Sequence, residues 1–313
     1  HQCFRRQRQM CIRDRLLVDI GGTNMRYAIA SNEQEDISKI NKTEFDTLDF
    51  ETFLRKLVVD NEIDTLIISI AGPKINNSIR MTNRDYSINS DQLKKNLNLK
   101  DCIILNDWEA IAHSYEYISK DIETLKDGSA FNNTKLFLGP GTGLGAAVSI
   151  DEIVFPTEIG NTLNSSLKLQ RNYDIQNDSL LVLEDLVSGT AISKIYELKT
   201  NKKLSSEMVY KKFKENDEIA TKVINGFIKS LAETLSDLAL TFLPGEGIFL
   251  AGSLIRNLYQ DINKNDFNNA FLGNRKDAHK NILDMISINV IMKERTPLYG
   301  NLKLFKTITK DCV

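Results

Sequence analysis

The 313-residue sequence is poor in the residues that build metal and redox centres. Its four cysteines, at positions 3, 11, 102 and 312, form no Cys-x-x-Cys pair, and its three histidines are scattered. The spacing excludes a zinc ribbon or finger and a disulfide framework, and it points to a reducing compartment, the cytoplasm. No run approaches the roughly 18 apolar residues that a membrane-spanning helix requires. A dominant charge is also missing, since 40 basic residues face 42 acidic ones. No stretch interleaves Lys and Arg with aromatics, so neither nucleic acid nor an anionic membrane is an expected partner. Nor is there a Gly-Lys-Ser or Gly-Lys-Thr, which removes the Walker A loop.

The length exceeds one typical domain and suits two lobes, each able to bury a core. Residues 1–15, with five Arg and no apolar stretch, lack the pattern of a signal peptide and are expected to form a disordered or non-native leader. The ordered pattern starts at Leu16. Apolar runs Leu16 to Ile20 and Met25 to Ala30, joined by Gly21-Gly22-Thr23-Asn24, read as a hairpin. A helix is expected over Phe50 to Val59, and a buried strand over Thr65 to Ile70 stops at Ala71-Gly72-Pro73. Ser90 or Asp91 can cap a helix running to Leu97, Cys102 to Leu105 is the next strand, and Trp108 to Tyr117 reads as a helix. Thr134 to Leu138 and Gly145 to Ile150 then flank a second glycine-rich bend.

Beyond Phe155 helical periodicity dominates, near Leu180 to Leu198, Ser205 to Phe213 and Ile219 to Leu243. Gly247 to Ala251 and Ile288 to Met292 are short buried strands, Pro297 opens a last helix, and Asn263 to Asn269 is expected to be a loop. The domain expectation is a small α/β domain over 16–107 completed by a C-terminal helix at about 303–313, and a large α/β domain over 108–302.

Glycine-rich turns after strands can converge backbone N–H groups on an anion, because glycine accepts the angles such nests need. The chain has two, Asp19 to Asn24 and Gly139 to Gly145. Each taken alone is more readily a plain hairpin connection than a phosphate site, and it is their joint occurrence, each with a Thr, that shifts the balance toward phosphate. Asp19 ends a buried strand, where it either caps the turn or meets a cation such as magnesium, through water. Asp107 either caps the helix that follows or acts as a general base. Glu158 and Glu184 are either solvated acids or ligands for a polar substrate.

Several motifs occur in one order: Leu-Val-Asp-Ile-Gly-Gly-Thr-Asn (17–24), Met-Thr-Asn (81–83), Leu-Lys-Lys-Asn-Leu (93–97), Leu-Asn-Asp (105–107), Gly-Pro-Gly-Thr-Gly-Leu-Gly (139–145), Glu-Asp-Leu-Val-Ser-Gly (184–189) and Ala-Gly-Ser (251–253). Together they closely resemble the bacterial glucokinases, in the group that lacks the zinc-binding cysteine cluster of the ROK sugar kinases. The resemblance implies an α/β chain of the actin-like ATPase (ribonuclease H-like) fold, with two lobes around a nucleotide and sugar cleft. It implies ATP and Mg2+ as cofactors, glucose or a similar hexose as substrate, phosphorylation at the 6-hydroxyl, and a homodimer. By the same likeness Asp19, Gly21, Gly22, Thr23 and Asn24 form the first phosphate loop, with Asp19 toward magnesium. Gly141, Thr142 and Gly143 belong to the second loop, and Gly252 and Ser253 lie near the adenosine. Asn106 and Asp107 would hold the sugar, with Asp107 as base, while Glu158, Asn161 and Glu184 bind further hydroxyls. Two residues depart from the family pattern. Val18 replaces a glycine often found before the loop-one Asp, and Asn161 stands where a sugar-contacting His is expected. A hexose kinase for mannose, fructose or an amino sugar, and a non-catalytic ATPase or sugar sensor, remain as alternatives.

Overall fold

The computed structural model describes residues 14–310 apart from 22–23, 32–35, 38, 83 and 164–165. Two compact units divide the chain. One is built from the segment up to Ile118 together with the segment from Arg295, and the other spans Ser119–Glu294. Of the expected leader, residues 1–13 lie outside the described residues, and Arg15 already opens the first strand.

The first unit is organised on a five-stranded sheet of β1 (Arg15–Ile20), β2 (Asn24–Ala30), β3 (Asn41–Glu44), β4 (Thr65–Ile70) and, after three short strands, β8 (Asp101–Asn106). Their order is β3-β2-β1-β4-β8, with β1 antiparallel to β2 and parallel to β4. β5 (Lys74–Ile75), β6 (Ser78–Arg80) and β7 (Ser87–Asn89) make a separate small sheet. All six residues of β1 and all six of β4 are buried, as expected of central strands covered on both faces. Successive side chains alternate between the faces. Leu16, Val18, Ile20, Leu66, Ile68 and Ile70 pack with Phe50, Leu54 and Val58 of the Phe50–Asp60 helix. Leu17, Ile67 and Leu105 go to the other face and pack with Leu298, Leu302 and Phe305 of the Thr296–Lys310 helix. Asp19 and Ser69 share the parity of this second face, and this places them toward the C-terminal helix.

The expected Trp108 to Tyr117 helix is two pieces, Asp107–His113 and Tyr115–Ile118. They part at Ser114, fully buried, whose hydroxyl donates to the Ile111 carbonyl at 2.6 Å and competes with the helix ladder. The Asp107–His113 helix lies so close to the C-terminal one that a Cβ on Gly300 would stand 1.7 Å from the Ala110 carbonyl oxygen.

The second unit holds a six-stranded sheet of β9 (Ile122–Lys126), β10 (Thr134–Pro140), β11 (Leu144–Ile150), β12 (Ile153–Thr157), β13 (Gly247–Leu250) and β14 (Ile288–Ile291). The order is β12-β11-β10-β13-β14-β9. Its first five strands repeat the plan of the first unit, with an antiparallel hairpin on one side of the leading strand and parallel strands on the other. The two glycine-rich turns therefore occupy the same topological place, the bend of the leading hairpin.

One face of this sheet is covered by a core that includes Phe227, Leu231 and Leu235 of the Glu218–Phe242 helix. Asp217 starts that helix by accepting the Ala220 amide at 2.8 Å, and Leu243 ends it at φ 48° before Pro244. The segment expected to be helical from Leu180 is a short 3-10 turn at Leu183–Asp185, and the helix begins only at Gly189, capped by Ser188. Asn263 to Asn269 is no loop: Asn263 caps a helix over Lys264–Leu272, which buries Phe267 and Phe271 one turn apart. Among the described residues no helix is long and apolar enough to cross a membrane.

Candidate active site residues

Of the expected first phosphate loop, Gly22 and Thr23 lie outside the described residues. Gly21 donates its amide to the Asn24 carbonyl at 2.9 Å and so closes the turn. Asp19, at the end of β1, pairs in register with Arg26 of β2 and Ser69 of β4. Arg26 Nη1 is 3.4 Å from Asp19 Oδ2, and the Ser69 hydroxyl lies 3.3 Å from Oδ1. Burial outweighs these lowering influences and pushes the Asp19 carboxyl up to about 6. A buried carboxylate whose charge is under-compensated gains from a further cation. Among the described residues no group of three or more His, Cys, Asp or Glu could hold a metal. A single buried carboxylate raised in this way fits a magnesium held through water.

Asn106 and Asp107 stand at the carboxyl end of β8, in the first unit with Asp19. The structure separates their roles. Asn106, 5% exposed, is the helix cap: its Oδ1 accepts the amides of Trp108 at 2.8 Å and Glu109 at 3.3 Å. Glu109 Oε2 returns a bond to the Asn106 amide at 3.2 Å, completing a capping box, and Asn106 Nδ2 donates to the Gly72 carbonyl at 2.9 Å. Lys74, from β5, holds both Glu109 oxygens at 3.1 Å. Asp107 is thus the first helical residue and not the cap, half-buried, with its Oδ1 3.0 Å from the Trp108 amide. Glu109 and Lys74 were not anticipated, although Asn-x-x-Glu before an apolar run is a readable capping signal.

In the second unit the Gly139 to Gly145 bend is closed by the Gly141 amide on the Gly143 carbonyl at 2.8 Å. The start of the Gly189–Thr200 helix ties it down. Gly189 donates its amide to the Gly141 carbonyl at 2.7 Å, and the Thr190 hydroxyl donates to the Thr142 carbonyl at 2.6 Å. Gly141 and Thr142 then line a cavity of about 240 Å³ with Thr190, Ser193, Ser206 and Ser253. Ser253 opens a short helix behind β13, with Gly252 at its N-cap. The predicted second phosphate loop and the predicted adenosine turn therefore line or flank one hydroxyl-rich pocket. Thr190, Ser193 and Ser206 had no sequence signal beyond Ser and Thr at the starts of two helices.

Glu184 sits beneath the same bend. Its Oε2 accepts the Leu144 amide at 3.1 Å and would lie 2.4 Å from a Cβ on Gly143 and 3.2 Å from one on Gly160. Glu158 precedes the 3-10 turn Ile159–Asn161 and accepts the Asn161 amide on its carbonyl at 3.1 Å. It keeps solvent access, yet partial burial and then the Glu184 carboxylate raise it above the usual carboxylate range. Asn161 is exposed on that turn. The second unit thus brings together two acids, an amide and the glycine bend.

A family model described as Glucokinase matches residues 16–307. The glucokinase of Mesorhizobium japonicum is 26% identical over 309 residues, covering 91% of this chain and 89% of the relative. A solved glucokinase from Balamuthia mandrillaris in complex with glucose matches with a TM-score of 0.76 at 19% identity, over 95% of this chain and 94% of that one. A ROK family glucokinase from Streptomyces griseus in complex with glucose and AMPPNP matches at 0.66 and 16% identity, over 93% and 98%. Likeness at such identities fixes the fold, that of the actin-like ATPases, to which the duplicated sheet plan conforms. The family model spans nearly all of the sequence, and the chain belongs to the glucokinase family.

Proposed function

We propose that the protein transfers the γ-phosphoryl group of ATP to the 6-hydroxyl of glucose, with Asp107 as the general base. The observation that carries this is the division of labour at the end of β8. Asn106 and Glu109 complete the capping box, so the Asp107 carboxylate is not needed to start its own helix. An acid at the carboxyl end of a parallel strand is where ligand chemistry gathers in open α/β sheets.

Phosphoryl transfer is mainly positioning and charge stabilisation. As the sugar oxygen bonds to the γ-phosphorus, its proton passes to Asp107 and ADP departs. Glu158, Asn161 and Glu184 hydrogen-bond sugar hydroxyls, a type of contact that discriminates better than an apolar pocket. Asn106 orients Asp107 and has little amide capacity left for the sugar. In the second unit the Gly141 to Gly143 bend and the Ser253 pocket bind the nucleotide, and in the first unit Asp19 to Asn24 is a phosphate loop. Magnesium, held through water by Asp19 and by the nucleotide phosphates, would neutralise charge on the transferring group. The scatter of its cysteines at 3, 11, 102 and 312, with no Cys-x-x-Cys pair, supports a place outside the ROK group.

Asn161 supports a second reading, a hexose kinase less strict than a His-bearing relative. A coupled assay of ADP release over glucose, mannose, fructose and glucosamine tests both. The highest kcat/KM for glucose upholds the proposal. A higher value for another hexose reassigns the substrate, and ADP release without sugar phosphate reduces the protein to an ATPase.

A further inference from the structure

We propose that two adjacent residues of the C-terminal helix, Gly300 and Asn301, are positioning residues that set the two functional carboxylates of the first unit, Asp107 and Asp19. The inference rests on the roles assigned to those acids above.

Asn301 is fully buried on the helix that covers the Leu17 and Ile67 face of the sheet. Its Nδ2 donates to the Val18 carbonyl at 2.9 Å and to the Ser69 hydroxyl oxygen at 3.2 Å. The Ser69 hydroxyl has one proton and two acceptors at 3.3 Å, the Val18 carbonyl and Asp19 Oδ1. By supplying the Val18 carbonyl itself, Asn301 leaves the Ser69 proton for Asp19. Its second N–H, directed at Ser69, polarises that hydroxyl and strengthens the donation. The chain Asn301 to Ser69 to Asp19 therefore fixes which way Oδ1 faces at the mouth of the first glycine turn.

The same side chain carries a liability. Asn301 Oδ1 is buried and meets no donor among the described residues. A leucine of similar volume would avoid the unsatisfied acceptor, so packing alone does not explain an asparagine here. The two donated bonds do. One residue earlier, the Gly300 α-carbon is pressed on the helix that starts with Asp107, and an added Cβ would meet the Ala110 carbonyl oxygen at 1.7 Å and its carbon at 2.5 Å. Neither contact can yield by rotating a side chain, because the struck atoms are backbone. A single dipeptide thus seats the helix bearing Asp107 and the strand bearing Asp19.

The test is calorimetric binding of ADP with and without Mg2+, and of glucose, to the full chain and to Asn301→Leu, Ser69→Ala, the double variant and Asp19→Asn. Asn301→Leu and Ser69→Ala should each weaken Mg2+-dependent ADP binding by about fivefold, the scale of one hydrogen bond. The double variant should lose little more than either, because both act through one chain. Metal-free ADP and glucose binding should hold. Gly300→Ala should lower kcat with these affinities kept. If Asp19→Asn leaves the Mg2+ dependence intact, the role of Asp19 itself fails. If Asp19→Asn abolishes it while Asn301→Leu and Ser69→Ala do not move it, or if their losses simply add, the positioning inference fails. Should Gly300→Ala not fold, the Asn301 and Ser69 arms still decide.

Discussion

Glu184 Oε2 accepts the backbone amide of Leu144 at 3.1 Å, directly behind Gly143, where no side chain fits without meeting that carboxylate. The acid expected to read the sugar is thereby locked to the bend expected to hold phosphate. Gly143→Ala would place its Cβ 2.4 Å from Glu184 Oε2, the mobile end of a side chain, so the carboxylate swings away and its bond is lost. Stability should fall by only about 1 kcal/mol. The glucose KM should rise several-fold, measured beside Tm in one variant. A glucose KM that does not move would detach Glu184 from substrate recognition.

Asp19 is held in a state that folding alone disfavours. Its carboxyl is pushed from 3.8 to about 6 by burial. Between those values the folded chain keeps a proton that the unfolded chain releases, so stability falls as pH rises through this window. It is fully retained below about pH 4 and the loss is complete above about pH 6. Asp19→Asn mimics the protonated form. Without metal or nucleotide it should be more stable than the natural protein by about 2–3 kcal/mol at pH 7, with the difference vanishing near pH 4. Denaturant melts at the two pH values check this. A variant that is less stable at pH 7 would contradict the under-compensated charge.

The asymmetry between what was legible and what was not follows from physics acting at different ranges. The strands β1, β4, β10 and β13 were readable because continuous apolar runs ending in glycine have few other uses. The edge strands β3, β9 and β12 were not, since only pairing with a neighbour makes strands of Asn41–Glu44, Ile122–Lys126 and Ile153–Thr157. Asn263 to Asn269 read as a loop because six of its seven residues, four Asn, one Lys and one Asp, are polar, whereas Phe267 and Phe271 on one face decide the helix. At the site, Asp19, Asp107 and the glycine bends were legible as local motifs. Glu109 had a local signal in the Asn-x-x-Glu capping pattern, whereas Ser69 and Asn301 act on Asp19 from far along the chain and carried none.

Asn161, where the resemblance to the glucokinases leads one to expect a His, lies exposed on the Ile159–Asn161 turn. Its amide can donate and accept but is shorter than imidazole and does not titrate near neutrality. The enzyme should phosphorylate glucose with weaker discrimination against its epimers, a several-fold effect in kcat/KM, as one hydrogen bond is worth on the order of 1 kcal/mol. The ratios among glucose, mannose and glucosamine in Asn161→His check this. Unchanged ratios would mean that residue 161 does not read the sugar.

The base role of Asp107 is tested most directly by Asp107→Asn, because the amide keeps the shape and a hydrogen bond but cannot take up the proton. The capping box on Asn106 and Glu109 is untouched, so the helix should persist. Turnover of glucose with ATP and Mg2+ is to be compared with calorimetric glucose affinity in the same variant. A fall in kcat of roughly 10²-fold or more, with glucose affinity kept within a few-fold, is the expected result. A variant that retains most of its kcat would remove Asp107 from the chemistry.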